Sequence, residues 1–298
     1  LLPSDLIVFN NTRVIAALLY GIRYRFISEK NNINERKISI TLHKQVNPGK
    51  WLAYAKPAKQ LKIGDTVEYS EDFRSKVLEK REMGEVLLEF NLKGSDFYSA
   101  LKRYGNPPLP PYIKNKLENQ ERYQTVYSKI NGSIAAPTAG LHFTPTLISN
   151  LISMGIEIVY ITLHVGWGTF NPVKETNASN HLMHEEYWNL TNDSSSKINE
   201  AIKNKRRIIA VGTTCTRLLE HVASKSKSSP VLFQPGSGKT SLFILPGYKF
   251  LITDSLITNF HLPKSTLLML TEAFTGKTLI NKAYEPVSYT HLTLPTKA

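Results

Sequence analysis

The sequence predicts an α/β protein in which a layered α/β domain accompanies a small β-barrel. Short strand-like runs broken by Gly and Asn fill the stretch from Val14 to Asn91, at the close spacing of a small barrel. After the proline-rich Asn106-Pro107-Pro108-Leu109-Pro110-Pro111 the pattern changes to strands alternating with helices, as in a layered α/β domain. Six polar, Gly- or Pro-punctuated islands stand where apolar strand patterns give out. Loops at strand ends are where a rigid scaffold holds functional groups, so the islands predict one convergent site.

Taken in order, Leu6-Ile7-Val8-Phe9 reads as a buried strand. In the barrel region the expected strands cover 36–45, 51–58, 65–69, 75–81 and 85–91, with turns at Asn47-Pro48-Gly49, Gly64-Asp65 and Met83-Gly84. A helix over 95–104 closes the segment, and the prolines that follow force an extended crossing at the domain boundary. Thr144 is placed to cap a helix with Pro145 at its first position; Leu147, Ile148, Leu151 and Ile152 form its apolar face and Gly155 ends it. A strand over 156–163, a helix over 196–205, a strand over 207–211 and a helix over 214–223 follow. The Ser-, Lys-, Pro- and Gly-rich stretch 224–238 reads as an exposed loop. A strand pattern over 249–260 then leads into a helix over 265–274 that Gly276 ends. Gly236-Ser237-Gly238-Lys239-Thr240 imitates the end of a phosphate-binding P-loop, but Phe233 occupies the place of its first glycine and a strand-like run, 241–245, replaces the required helix. Nucleotide hydrolysis is therefore not expected there.

Both ends read as incomplete. Leu1 is not an initiator, and 286–298 is Thr-rich without helical periodicity, so it reads as a non-native tail. With 298 residues, 41% of them hydrophobic, the chain can bury a large core in two domains. A formal net charge of +13 points to an anionic partner: nucleic acid, acidic lipid or a phosphorylated substrate. The single Cys215 excludes a disulfide framework and a thiolate-clustered zinc site, and fits a reducing compartment. No run approaches the roughly 18 apolar residues of a membrane span, and no signal-like segment leads the chain, so a cytoplasmic protein is expected.

The islands differ in the chemistry they offer. Gly212-Thr213-Thr214 hands a strand to a helix, where free N–H groups and the positive end of the dipole suit a carboxylate or phosphate, and Arg217 adds a forked donor one turn on. Thr213 and Thr214 also read as simple caps, and Cys215 as a packed residue. His164 and His261 end strands and His142 precedes a helix; an isolated histidine is more often structural, yet three in such loops predict a proton-transfer group near neutral pH. His181 and His184, followed by Glu185 and Glu186, resemble metal-ligand spacing, but the order H-E-x-x-H is absent. Pro137-Thr138-Ala139-Gly140 and Gly166-Trp167-Gly168 let backbone approach a planar ligand, with Trp167 and Phe143 as stacking surfaces, or are ordinary tight turns.

At these residues the chain resembles the S-adenosylmethionine:tRNA ribosyltransferase-isomerase family of queuosine biosynthesis. The resemblance runs in order through Asn10-Asn11-Thr12-Arg13-Val14, Pro108-Leu109-Pro110-Pro111-Tyr112-Ile113, Tyr123-Gln124-Thr125-Val126-Tyr127, 135–143, Thr162-Leu163-His164-Val165-Gly166, Gly168-Thr169-Phe170, Met183-His184-Glu185-Glu186-Tyr187, 209–214 and 258–263. It implies a barrel inserted into the α/β body, with 1–14 and 107–285 forming the discontinuous catalytic domain and 15–106 the insert. It implies transfer and isomerisation of the ribosyl part of S-adenosylmethionine onto 7-aminomethyl-7-deazaguanine at the tRNA wobble position, giving epoxyqueuosine, adenine and methionine. S-adenosylmethionine would be a consumed substrate, with no cofactor, no metal, no membrane and a monomeric enzyme. Catalysis is then expected from His142, His164 and His261. Substrate contacts are expected from Asn11, Thr12, Arg13, Thr138, Gly140, Gly166, Gly168, Thr169, His184, Glu185, Thr213, Thr214, Arg217 and Asn259. The alternatives are a non-catalytic tRNA-binding paralogue and a metal hydrolase built on His181, His184 and Glu185.

Overall fold

The computed structural model describes residues 1–27, 32–110, 113, 117, 119–166, 178, 181 and 183–290. In chain order the strands and helices are β1 (Leu6–Asn10), β2 (Thr12–Val14), β3 (Leu18–Ile27), β4 (Asn32–Asn47), β5 (Lys50–Lys56), β6 (Thr66–Ser70), β7 (Phe73–Lys80), β8 (Glu85–Phe90), α1 (Gly94–Tyr104), β9 (Ile130–Ser133), α2 (Pro145–Ser153), β10 (Glu157–Leu163), β11 (Glu186–Leu190), α3 (Asn192–Lys203), β12 (Ile208–Val211), α4 (Thr213–Lys225), β13 (Gly236–Thr240), β14 (Ser255–Ile257), α5 (Thr266–Thr275) and α6 (Lys277–Thr290). The chain divides into two compact units. One comprises Leu1–Arg13, Gln124–Ile130 and Ala136–Ala298, the other Val14–Tyr123 and Asn131–Ala135.

The first unit is built on a six-stranded sheet ordered β13-β11-β10-β1-β12-β14. β1 lies in its interior, parallel to β10 on one side and to β12 on the other, and β12 runs parallel to β14. A strand flanked on both sides is buried and favours apolar residues, and all five residues of β1 are buried, the polar Asn10 only at its end. Around it pack Ile7, Phe9, Ala139, Phe143, Leu151, Ile156, Ile209 and Val211. The Phe9 ring meets Tyr127 at 4.5 Å and, edge-on, Phe143 at 4.8 Å. At the opening edge of the sheet, Arg207 donates from Nε and Nη2 to the fully buried Asp5 carboxylate at 2.8 and 2.7 Å. This pairing holds the Asp5 carboxyl below its ordinary range, the guanidinium hydrogen bond being the largest cause.

Helix ends follow local sequence. Thr144 Oγ1 accepts from Leu147 N at 3.1 Å with Pro145 at the first helical position, and Ser265 Oγ caps α5 through Leu268 N at 3.1 Å. α3 begins at Asn192, earlier than its periodicity indicates, because Thr191 Oγ1 accepts from Ser194 N at 3.2 Å. α6 carries helical backbone to Thr290, past the point where the sequence stops showing helical periodicity.

The second unit is a closed six-stranded barrel in the order β3-β4-β5-β8-β7-β6, as the strand spacing predicts. Leu19, Ile38, Ile40, Leu42, Val67, Val77 and Leu88 fill it. β3 was not among the expected strands: Gly21, Arg23 and Arg25 interrupt its apolar pattern. Gly21 is required there, because a Cβ would stand 2.7 Å from Glu68 O and 2.8 Å from Val67 Cγ1, where β6 pairs with β3.

The P-loop-like segment is β13, an extended strand antiparallel to β11 with Gly238 opposite Trp188. A Cβ on Gly238 would approach the Trp188 ring to 3.3 Å, so the glycine makes room for an indole rather than a phosphate. Residues 241–245 form no strand, and only Ser255–Ile257 of the 249–260 pattern does. Among the described residues no helix is long and apolar enough to cross a membrane.

Candidate active site

Where β1 ends, the chain places a buried carboxamide. Asn10 Oδ1 accepts from Leu163 N at 3.1 Å and Thr12 N at 3.2 Å, while Nδ2 donates to Leu163 O at 2.9 Å and Thr214 Oγ1 at 3.2 Å. Both ends of the amide are satisfied, as burial demands, and the ends of β1, β10 and the start of α4 are fastened together. Asn10 was not among the expected site residues, although it stands first in the Asn10-Asn11-Thr12-Arg13-Val14 motif. Asn11, which was, turns its Oδ1 to the Thr162 hydroxyl at 2.7 Å. Thr12 Oγ1 lies 2.7 Å from His164 Nδ1, and Arg13 Nη1 donates to Ser128 Oγ at 3.0 Å.

Beside this clip lies a cleft at the carboxyl edge of the parallel strands. Pro137, Thr138, Gly212, Thr213, Thr214 and Asn259 are among the residues that line it, as does His261. Gly212 precedes α4 with φ +89°, a conformation that a side chain would strain, and turns β12 directly into the helix. The first turn of the 13-residue α4 therefore opens at the cleft, its positive end toward any anion held there. Thr138, Thr213, Thr214, Asn259 and His261, drawn from three separate islands, meet here. His142 joins them through Asn259, whose Nδ2 is 2.8 Å from His142 Nε2. Among the described residues the buried Asn259 Oδ1 has no hydrogen-bond partner.

Burial sets the protonation of His164 and His261. Burial pushes His164 down to about 4, against the opposing pull of Glu186, and burial alone takes His261 down to about 4. Both rings stay neutral at pH 7 and serve as hydrogen-bond groups: His261 Nε2 is 2.9 Å from Thr258 Oγ1, and its backbone N donates to the Tyr284 hydroxyl at 2.8 Å. Neither ring is shifted toward neutral pH, where the sequence predicts that one of the three histidines transfers a proton. Cys215 is fully buried, and desolvation pushes its thiol up, in keeping with a packed residue.

Arg217 departs most from its expected role. It is buried, with Nη1 2.5 Å from Glu186 Oε2 and Nε donating to Leu242 O at 3.0 Å. The fork expected to hold a substrate anion is engaged by a carboxylate of the chain itself, and only Nη2 lacks a hydrogen-bond partner among the described residues. Glu186 Oε1 in turn accepts from Gly166 N at 2.9 Å, so the pair fixes the turn after β10. Of the two adjacent glutamates the expected site residues included Glu185 and not Glu186; Glu185 is exposed and pairs with Lys239 at 3.2 Å, while Glu186 is buried. His184 is exposed, and among the described residues no group of three or more His, Cys, Asp or Glu is arranged to hold a metal ion. Gly140 lies against Tyr127, whose hydroxyl a Cβ would overlap. Gly168 and Thr169 fall outside the described residues.

A further buried carboxylate supports the cleft from behind. Glu220, on α4 and fully buried, accepts from Leu251 N at 2.8 Å, Ile252 N at 3.2 Å, Thr253 N at 3.0 Å and the Thr253 hydroxyl at 2.8 Å. It anchors the segment that leads into β14 and on to Thr258 and Asn259. No motif marks it; an acidic residue within an otherwise apolar helical face was the available signal.

The family model of queuosine biosynthesis proteins matches residues 1–289. The chain is 48% identical over 283 residues to an S-adenosylmethionine:tRNA ribosyltransferase-isomerase of Finegoldia magna, covering 95% of this chain and 78% of that protein. It is 46% identical over 286 residues to one of Carboxydothermus hydrogenoformans, covering 96% and 80%. A solved S-adenosylmethionine tRNA ribosyltransferase of Thermotoga maritima aligns at 30% identity over 97% of this chain and 78% of that one, with a TM-score of 0.46.

Proposed function

This chain belongs to the S-adenosylmethionine:tRNA ribosyltransferase-isomerase family of queuosine biosynthesis, a family of transferases, and from that premise we propose the reaction that its cleft performs. The ribosyl group of S-adenosylmethionine is transferred and isomerised onto the aminomethyl group of 7-aminomethyl-7-deazaguanine at the tRNA wobble position. Epoxyqueuosine forms on the tRNA, and adenine and methionine leave. The observation that carries this reading is the meeting of Thr138, Thr213, Thr214, Asn259 and His261 in one cleft at the carboxyl edge of the sheet. Crevices at that edge are where open α/β sheets bind ligands.

The α4 amino end and its threonines suit the methionine carboxylate, because unpaired N–H groups and the helix dipole favour an anion. A sulfonium acidifies the adjacent C5′ protons, so a nitrogen base starts the reaction. His142 is the base in this reading. With Nε2 protonated toward the Asn259 amide oxygen, which a half-turn of that amide would supply, its Nδ1 is free to accept a proton. His261, neutral through burial, serves as a hydrogen-bond group for the departing adenine. The enzyme acts as a cytoplasmic monomer, and S-adenosylmethionine is its only small-molecule requirement.

The test is adenine release from S-adenosylmethionine in the presence of tRNA carrying the 7-aminomethyl-7-deazaguanine base, before and after prolonged chelation and desalting. Release that needs the modified tRNA and survives chelation is expected. Retention of tRNA binding without adenine release would instead establish the non-catalytic paralogue, and activity restored only by zinc would establish the metal hydrolase.

A further inference from the structure

On the outside of the barrel, away from any residue assigned above, the strands β3, β4, β5 and β6 enclose a groove of about 760 Å³. Its chemistry is unusual for a solvated sheet face. Tyr20 stands in mid-strand with 63% of its surface exposed, although its neighbour Leu19 is fully buried in the barrel. Tyr24 lies on the same outer face four residues on, by strand alternation. Register sets two rows across the face. Tyr20 pairs with Ser39 and Ser39 with Lys56; Glu68 pairs with Ile22 and Ile22 with Lys37. Lys37 and Lys56 are exposed, and neither makes a salt bridge among the described residues. Glu68 and Glu71 border the opposite side.

We propose that this barrel face is a docking surface for unpaired RNA, with bases stacked on Tyr20 and Tyr24 and the backbone drawn over Lys37 and Lys56. The inference rests on the reading of tRNA as substrate and adds where a looped part of it is held. Exposed aromatics on a sheet, flanked by cations, are how single strands are bound: every base has a face to stack, and the lysines neutralise phosphate. The spacing selects unpaired nucleotides. Residues four apart on a strand are about 13 Å apart, far wider than stacked neighbours in a duplex, so the two tyrosines take bases that are splayed out. Lys56 stands two strand spacings from Tyr20, roughly 10 Å, on the side away from Glu68. The glutamates are then left to accept from base amino groups rather than to face phosphates. The formal charge of +13 supplies the long-range attraction.

The experiment uses the full chain and a fluorescently labelled tRNA, with affinity read by anisotropy. The variants are Tyr20→Ala, Tyr20→Phe and the double Lys37→Ala/Lys56→Ala. Loss of one stacking partner should weaken tRNA binding by about tenfold, with Tyr20→Phe near the parent because the ring remains. The double lysine variant should bind more weakly and show a shallower salt dependence. Melting temperature is followed in parallel, since these exposed side chains carry no core packing. Tyr20→Ala and the lysine pair binding tRNA within twofold of the parent would overturn the proposal. So would a sedimentation result in which Tyr20→Ala only dissociates a dimer, making the face a contact between copies. The two readings fail separately: a parent that releases adenine while the variants bind normally leaves the enzyme intact and removes this surface. A parent whose RNA binding depends on Tyr20 but which releases no adenine does the reverse.

Discussion

Burial sets the charge of His164 and His261 before any substrate arrives, and that has a consequence for stability. In the unfolded chain each ring takes up a proton near the ordinary value of 6.5, whereas in the folded chain protonation waits until about 4. Between those values the unfolded state binds more protons. The stability these rings contribute is therefore complete above pH 6.5 and is lost progressively as pH falls toward 4. The melting temperature should be level from pH 8 to 7 and fall below about pH 6, with His261→Gln showing a flatter decline; a parent whose melting temperature is unchanged between pH 7 and 5 would refute the assignment. His142 is tested by its removal. His142→Gln keeps a hydrogen-bonding side chain but no ring nitrogen to take a proton, and should lower adenine release by about 10²–10⁴-fold while the melting temperature holds. Turnover within a few fold of the parent removes His142 as the base. The histidines were legible in the sequence because they stand in polar loops. Their separate environments were not, since burial is a property of everything packed around a ring.

At the scale of elements, the local punctuation was the reliable part. Thr144 with Pro145, Ser265 and the glycines at 155, 212 and 276 act within a turn of their own position, so sequence sufficed to place the ends they control. Gly140 shows the limit. Its turn was legible, but the reason for glycine is Tyr127, thirteen positions back by the numbering, whose hydroxyl fills the space of a Cβ. Gly140→Ala should displace the 138–142 turn, cost about 1–3 kcal/mol in stability and lower turnover more than the melting temperature alone explains. Tyr127→Phe should restore part of both, because it removes the nearest atom while Thr125 Cγ2, at 2.9 Å, still crowds the site. Equal stability of Gly140→Ala and the parent would show that the turn yields without cost. The same distinction explains β3 and β13. Gly21 and two arginines hid β3 from a reading of apolar alternation, and Gly236-Ser237-Gly238-Lys239-Thr240 imitated a phosphate loop until pairing with β11 drew it into the sheet.

At the scale of the whole molecule, the excess of basic residues makes a prediction independent of any single contact. If about six tRNA phosphates are neutralised, affinity should fall roughly 10³-fold between 50 and 200 mM salt, measured by titration of labelled tRNA. A nearly level salt dependence would mean that the charge serves something other than tRNA. Charge, like composition and the alternation of strands and helices, sums over residues and needs no knowledge of contacts. The sequence by itself therefore determined the α/β class, the small barrel, the basic character and the ordered motifs that carry the family resemblance. It also singled out the Gly212-Thr213-Thr214 turn and the 258–261 loop, which meet in one cleft. Only the tertiary structure decided which of these residues line that cleft and which pair with each other. Arg217 meets Glu186, Asn10 rather than Asn11 ties three elements together, and Glu220 anchors the segment before β14. These are contacts between residues 31, 153 or 204 positions apart. A buried polar group is stable only when it is paired, and which partner the packing delivers across such separations is settled by the sheet order and not by the neighbours along the chain.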